Sequence, residues 1–298
     1  MAVADTSIDD EAIARIGRPS LAVKAFGLTD TGRARSSNED QFLIAELTKT
    51  MRIWHTSLRE PKAVFGDEHG HLFLVADGMG GHSAGEQASA LAVAAIEQFT
   101  LNTFKWFFHA DGADAQKALA QFQTALRQAD ARILEESVEH PELSGMGTTV
   151  TMAYHLDAQL CIVHVGDSRA YIFEDDELHQ ITHDHTLMAD MVRRGAIQPE
   201  EVAHHRLRHV ITNVVGGNQA GVNVEGHALE VQAGDCLLLC SDGLTEMLSN
   251  DAIAAILRAE LDPQAACTKL VAQANDAGGR DNVTVVVARF DHVDPPTP

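Results

Sequence analysis

Five short apolar runs in this chain each begin or end at an acidic residue, and that recurrence restricts the fold more than any other feature. Asn38-Glu39-Asp40 precedes the run 41–45, and the run 71–76 leads into Asp77-Gly78-Met79-Gly80-Gly81-His82. The run 161–166 leads into Asp167-Ser168-Arg169, and 236–241 into Asp242-Gly243. Gly278-Gly279-Arg280-Asp281-Asn282 opens the run 283–287. Short runs of this kind, rich in Val, Ile, Leu and Phe, read as strands. A carboxylate at a strand end stands at the rim of a sheet, where a loop aims it into a cleft. Several together repel one another unless a cation sits between them. All-oxygen ligands suit hard cations such as Mg²⁺ or Mn²⁺ better than Zn²⁺. The pattern reads as a carboxylate-rich metal site on a β scaffold.

The 298 residues allow one large domain or two small ones. No low-complexity linker and no fixed-period repeat interrupts the chain from about 23 to 290, so a single domain is expected there. Residues 1–22, broken by Gly17-Arg18-Pro19-Ser20, read as a flexible extension, and 291–298 as a tail. Lys and Arg number 22 against 43 Asp and Glu, a net charge of −21. Such a chain is a poor nucleic-acid binder and lacks a polybasic membrane anchor. No apolar run approaches the roughly 18 residues of a membrane span, and residues 1–10 do not resemble a signal peptide. The four cysteines, Cys161, Cys236, Cys240 and Cys267, show no CxxC spacing and read as buried reduced thiols. A cytoplasmic monomer with no nucleic-acid or membrane partner is expected.

Strand patterns recur at 23–29, 41–47, 71–76, 148–156, 159–165, 169–174, 222–229, 236–241 and 283–290. Helical patterns cover 87–99, after the capping-box spacing Ser83-Ala84-Gly85-Glu86, then 114–139, 251–260 and 263–276. Strands grouped apart from long helices argue for an α+β fold with mainly antiparallel sheet. Residues 46–70 read as an insertion or long hairpin between two strong strands. Residues 186–217 read as a flap, with a short helix 187–194 ending at Gly195 and a second start at Pro199.

Other chemistries find little support. Gly81-His82-Ser83-Ala84-Gly85 matches the G-x-S-x-G elbow, but six residues separate Ser83 from the strand and it competes as a helix N-cap. Gly166-Asp167-Ser168 is a weak esterase match. The chain has no Gly-Lys and no His-Glu dipeptide, which removes a Walker loop and an HExxH helix. No cysteine has an arginine six positions on, so a thiolate phosphate loop is absent too. Water activated by metal is the nucleophile left. The spacing of His204, His205 and His209, with His183 and His185 nearby, admits metal ligation but reads first as exposed polar flap residues. Arg193, Arg194, Arg206 and Arg208 form a local basic patch on an acidic chain, a solvated face or else a dock for a phosphorylated partner.

Seven blocks in order carry a family resemblance: 35–40 (RSSNED), 77–85 (DGMGGHSAG), 144–149 (SGMGTT), 165–171 (VGDSRAY), 182–185 (THDH), 240–244 (CSDGL) and 279–284 (GRDNVT). Together the chain resembles the metal-dependent protein phosphatases of the 2C class, in their bacterial serine/threonine branch. The resemblance implies a four-layer α-β-β-α sandwich, two antiparallel sheets flanked by helices, with metals between the sheets at one end. It implies two Mn²⁺ or Mg²⁺ ions, with a weaker third. Asp77 is then the bridging ligand, the Gly78 carbonyl a ligand of the second ion, and Asp242 and Asp281 the rest of the first site. Asp167 joins Asp242 at the third ion, and Glu39 and Asp40 act through metal-bound waters. Arg35 grips the phosphate, His82 protonates the leaving oxygen, and a metal-bridging hydroxide attacks phosphorus directly. Gly147, Thr148 and Thr149 are expected to serve only packing and strand initiation.

The expected activity is hydrolysis of phosphoserine and phosphothreonine in phosphorylated proteins, among them targets of a serine/threonine kinase and the kinase itself. Three alternatives stand beside it: a non-catalytic phosphoprotein-binding module on the same fold, a serine hydrolase using Ser83, and the same chemistry on another target such as an anti-sigma-factor antagonist or a two-component regulator. The first is disfavoured because every expected carboxylate is present. The 36 residues between Asp40 and Asp77 are more than a compact member needs.

Overall fold

The computed structural model describes residues 21–48, 69–80, 84–103, 112–202, 205–218 and 221–293. The expectations for His82, Ser83, His204 and most of the 46–70 insertion therefore lie outside the described residues. Twelve strands and seven helices occur among those described. The strands are β1 (Leu21–Asp30), β2 (Asp40–Thr48), β3 (His69–Met79), β4 (Gly147–Thr148), β5 (Val150–Leu156), β6 (Gln159–Val165), β7 (Arg169–Glu174), β8 (Glu177–Gln180), β9 (Val215–Gly216), β10 (Glu225–Glu230), β11 (Cys236–Cys240) and β12 (Val283–His292). The helices are α1 (Ala84–Thr103), α2 (Gly112–Glu139), α3 (Leu187–Arg193), α4 (Pro199–Val202), α5 (Asp242–Thr245), α6 (Asn250–Ala259) and α7 (Pro263–Asp276).

All strand pairs are antiparallel. One sheet runs β1-β12-β11-β7-β8, and the other runs β10-β6-β5-β3-β4-β9 with β2 also on β3. Period-two alternation explains the layering, because successive side chains of one strand point to opposite faces. On β3, Leu72, Leu74 and Ala76 join a core with Ala88, Ala92 and Ile96 of α1 and Phe122 and Leu126 of α2. Phe73 and Val75, from the same strand, meet Leu237, Leu239, Val286 and Ala288 of the opposing sheet. On β12, Val283, Val285 and Val287 pack outward on Leu257 of α6 and Leu270 of α7. Helices thus cover the outer face of each sheet, and a third core fills the space between sheets. This is the expected α-β-β-α sandwich.

The element boundaries carry some surprises. β1 starts at Leu21 rather than 23, since Leu21 pairs with His292 and Ala22 with Asp291. The run 148–156 divides at Thr149 into β4 and β5, and the run 222–229 forms a strand only from Glu225. Strands β8 and β9 were not expected. β8 (ELHQ) is a polar edge strand held by β7 alone, and β9 is two residues long. The four cysteines are buried and free, as expected. No helix among the described residues is long and apolar enough to cross a membrane.

One inner-face residue sets a pH response. His155 of β5 is buried, with its ring 4.7 Å from that of Phe290 and 5.7 Å from that of His71. Burial, with His71 nearby, lowers its pKa to about 4. The ring is therefore neutral in the fold at pH values where the unfolded chain, with a histidine pKa near 6.5, takes up a proton. Stability should fall as pH drops from about 6.5 towards 4, by up to about 3 kcal/mol from this group. In thermal melts at pH 7 and pH 5, His155→Phe should gain on the wild type as the pH falls. A gap independent of pH would remove His155 as the cause.

Candidate metal centre

The site begins with strand register. Pairing of β2 with β3 places Asp40 directly opposite Asp77. The main chain of Asp77 is clamped from both sides. Its N–H donates to Thr149 Oγ1 at 3.0 Å, and its carbonyl accepts from the Thr149 N–H at 2.8 Å and from Thr148 Oγ1 at 2.9 Å. These two threonines, expected only to start a strand, hold the central aspartate in place. Thr149 Oγ1 also shares a hydrogen bond of 2.7 Å with Ser168 Oγ, which ties Asp77 to the loop carrying Asp167. That loop turns at Gly166, at φ +112°, where a Cβ would stand 2.5 Å from Thr149 Cγ2. Both facts demand glycine.

The other sheet supplies two more aspartates. Asp242 opens α5 immediately after β11, and Asp281 precedes β12. Ser241 knits the sheets together. Its hydroxyl donates to Asp40 Oδ2 at 2.8 Å and accepts from the Thr284 N–H at 2.9 Å. Asn282 does the same for the loop before β2. Its side-chain amide donates to the carbonyls of Thr31 and Ser37, and its Oδ1 accepts from the Glu39 N–H at 2.8 Å. The sequence reading gave neither Ser241 nor Asn282 a role. The available signal was a polar residue wedged between a buried strand and a site aspartate.

The electrostatics show how closely these groups converge. Asp77 is buried and its pKa lies well above the ordinary value, from desolvation first and then from Asp40, Asp242, Asp167 and Asp281. Asp242 is raised likewise, by burial and then by Asp167, Asp281, Glu246 and Asp40. Burial and Asp184 push Asp167 up to about 7. Burial pushes Asp40 up to about 6, against hydrogen bonds from Thr284 and Ser241. Glu39 is raised chiefly by desolvation, with Arg35 opposing. Burial and the neighbouring carboxylates Asp40, Asp167 and Asp281 thus raise the cost of ionising Asp77 and Asp242. Asp40 Oδ1 and Asp242 Oδ1 are buried without a hydrogen-bond partner among the described residues. Acceptor-only oxygens, converging and unsatisfied, fit a hard divalent cation.

Arg35 sits at the mouth. Its Nη2 donates to Asp281 Oδ2 at 2.6 Å, and this bond is the main reason its pKa is raised. The side chain is half exposed, and this ion pair engages one of the five donors that a guanidinium carries. Beyond Asp167 and Asp242 a cavity of about 970 Å³ extends to the flap, where Arg193, Arg208 and His209 line it. His209 Nδ1 pairs with Glu246 Oε1 at 2.7 Å beside Asp242, a neighbour the sequence reading did not foresee. Arg169 makes a two-point contact with Asp184, at 2.8 and 2.6 Å, under the same cavity. His183 lines this cavity too, and both it and His185 pair with Glu225.

Residues 61–275 match the family model described as protein phosphatase 2C. Serine/threonine protein phosphatase PstP of Mycobacterium tuberculosis is 33% identical over 92% of this chain, which spans 46% of that protein's length. Serine/threonine phosphatase stp of Listeria monocytogenes is 30% identical, over 88% of this chain and 94% of its own. A crystal structure of the catalytic domain of PstP in complex with two manganese ions is 32% identical. It covers 91% of this chain and 100% of its own at a TM-score of 0.70.

Proposed function

The chain belongs to the protein phosphatase 2C family, and from that membership we propose that it is a Mn²⁺- or Mg²⁺-dependent phosphatase of phosphoserine and phosphothreonine in proteins. One observation carries the reading: the aspartates of five strand ends meet with buried oxygens left unpaired. Asp77, Asp242 and Asp281, with the Gly78 carbonyl, would hold two ions, Asp167 a weaker third, and Glu39 and Asp40 the surrounding water. Bound there, such ions lower the pKa of coordinated water and neutralise phosphate charge.

The chain's own residues do the remaining work. Thr148 and Thr149 fix the Asp77 main chain, and Ser241 orients Asp40 against both sheets. This order costs nothing at the moment of reaction, because the network is complete beforehand. Arg35, half exposed at the rim, is suited to a two-point grip on phosphate oxygens. His82 is proposed as the proton donor to the leaving serine or threonine oxygen, a task suited to a group titrating near neutrality. The substrates proposed are phosphorylated proteins, including targets of a serine/threonine kinase and the kinase itself, met by a monomer in the cytoplasm. PstP in its manganese complex supports the choice of metal.

The deciding experiment is phosphate release from phosphothreonine and phosphoserine peptides with Mn²⁺, with Mg²⁺ and with EDTA. Release that needs metal is expected. A folded protein that binds phosphopeptide but releases nothing under any metal would instead favour the binding module. Replacing Ser83 by alanine should leave release largely intact, which separates this reading from the serine hydrolase.

The basic flap adds a prediction. Arg193 and Arg208 line the cavity that reaches Asp167 and Asp242, whereas Arg194 and Arg206 do not line it. Charge reversal at Arg193 and Arg208 should raise KM for phosphoproteins several-fold and spare a small aryl phosphate. Equal changes for both substrates would sink the docking role.

A further inference from the structure

We propose that Glu225, His183 and His227 form a second metal site, separate from the aspartates, that takes a borderline divalent cation of the Zn²⁺ class. The carboxylate of Glu225, at the start of β10, is largely buried and gathers three imidazoles around it. Its Oε1 lies 2.9 Å from His183 Nδ1 and 2.5 Å from His227 Nε2. The three ligand atoms lie within 4.8 Å of one another. Bonds of about 2.0–2.2 Å to a tetrahedral ion need them little more than 3 Å apart. The exposed His183 ring has room to make that adjustment.

The supporting groups are already in position. His185 Nδ1 accepts from the Gly166 N–H at 3.1 Å and the Asn213 amide at 2.9 Å, so the proton resides on Nε2. That Nε2 donates to Glu225 Oε2 at 3.2 Å, which fixes the carboxylate, while Oε1, which also accepts from the His183 main-chain N–H at 3.2 Å, is turned to the other two imidazoles. Outer donors of this kind orient metal ligands. His164, fully buried beneath, has Nε2 at 3.0 Å from the Gly166 carbonyl and 3.1 Å from that of His183, so its own proton is on Nε2. It thereby pins the His183 main chain, while its Nδ1 accepts from Thr151 Oγ1 at 2.9 Å.

Two imidazoles and one carboxylate select a softer ion than five aspartates do. The chain would sort its metals by ligand type: hard ions at the strand-end carboxylates, a borderline ion here. Three protein ligands would leave a position open, and two of them, His183 and Glu225, line a cavity of about 650 Å³ with His185, Arg193 and Asn213. His185 also holds Gly166, the residue before Asp167, so the second site shares a hydrogen-bonded support with the first.

The test is Zn²⁺ titration of the full, untagged chain in excess Mg²⁺, which occupies the carboxylates, read by calorimetry and by metal content after dialysis. Wild type should bind one equivalent that the double variant His183→Ala/His227→Ala lacks, with affinity lowered at least tenfold. Circular dichroism confirms that the variant is folded, and both positions are at least partly exposed. His140→Ala, on an exposed histidine elsewhere, should bind as wild type does. Equal Zn²⁺ affinity and stoichiometry in wild type and double variant would overturn the site, as would a wild type that binds none.

Discussion

Asp242→Asn should lose phosphatase turnover by at least about 10²–10³-fold while gaining thermal stability in EDTA. The activity half follows from the position of Asp242 among the clustered carboxylates and from the size of a lost charge-stabilising contact in an active site. The stability half follows from the same facts with opposite sign. The Asp242 pKa is raised by burial and by Asp167, Asp281, Glu246 and Asp40, so its ionised form opposes folding when no cation is present. A group with a raised folded pKa takes up a proton more readily in the fold, and stability is lost as pH rises above the ordinary carboxylate value. Asparagine has the same shape and never ionises. Its advantage in EDTA should be small at pH 4 and grow towards pH 7, at about 2–4 °C for each kcal/mol of relief. Mn²⁺ should reverse the order, because a bound ion stabilises wild type by mass action and the variant much less. Melts at two pH values, with EDTA and with Mn²⁺, check each clause. A variant that keeps wild-type turnover would remove Asp242 from the site altogether.

This trade of stability for function explains why the site was legible in the sequence while its construction was not. An aspartate that ends a buried apolar strand conflicts with burial, and the conflict is visible in the chain itself at Asp77, Asp167 and Asp242. The alternation on β3 and β12 likewise announced strands with two buried faces. What the chain could not announce was register. Asp40 faces Asp77 only because β2 and β3 pair without slip, and a one-residue slip would turn it to the other face. Hydrogen bonds across long sequence separations were equally hidden. Ser241 reaches Asp40, and Asn282 reaches Thr31, Ser37 and Glu39, from the far end of the chain. Arg35 was expected to meet phosphate, and its contact with Asp281 depends on the fold of two loops. Glu225 and His227 stand about forty residues from His183 and His185, so only β10 pairing beside β6 unites them. Strands β8 and β9 escaped for a simpler reason: four residues with a single leucine, and two residues, carry no usable period.

Gly78→Ala should destabilise the protein by about 2–3 kcal/mol, a fall of roughly 5–10 °C, and abolish most of its activity. Gly78 follows Asp77 on β3, and its N–H donates to the Glu39 carbonyl at 3.1 Å. A Cβ there would stand 2.1 Å from the Gly85 carbonyl oxygen, 2.5 Å from its carbon and 2.7 Å from the Glu39 carbonyl oxygen. All three are main-chain atoms, so no rotamer relieves the clash. The start of α1 has to retreat from the end of β3. It cannot do so freely, because Ala84, Ala88, Ala92 and Ile96 are packed into the core with Leu72, Leu74 and Ala76. The strain falls instead on Glu39, whose carboxylate lies against Gly85, and on the Asp77 main chain. Gly195 offers the comparison. A Cβ there meets nothing within 4 Å, so alanine costs only the left-handed backbone at φ +69°, about 1–2 kcal/mol. Melts with and without Mn²⁺ decide the matter. Gly78→Ala should lose both stability and most of the Mn²⁺-induced rise, whereas Gly195→Ala should lose some stability and keep the rise. A Gly78→Ala protein with the wild-type melting temperature and Mn²⁺ response would show that the first turn of α1 is not fixed against the end of β3.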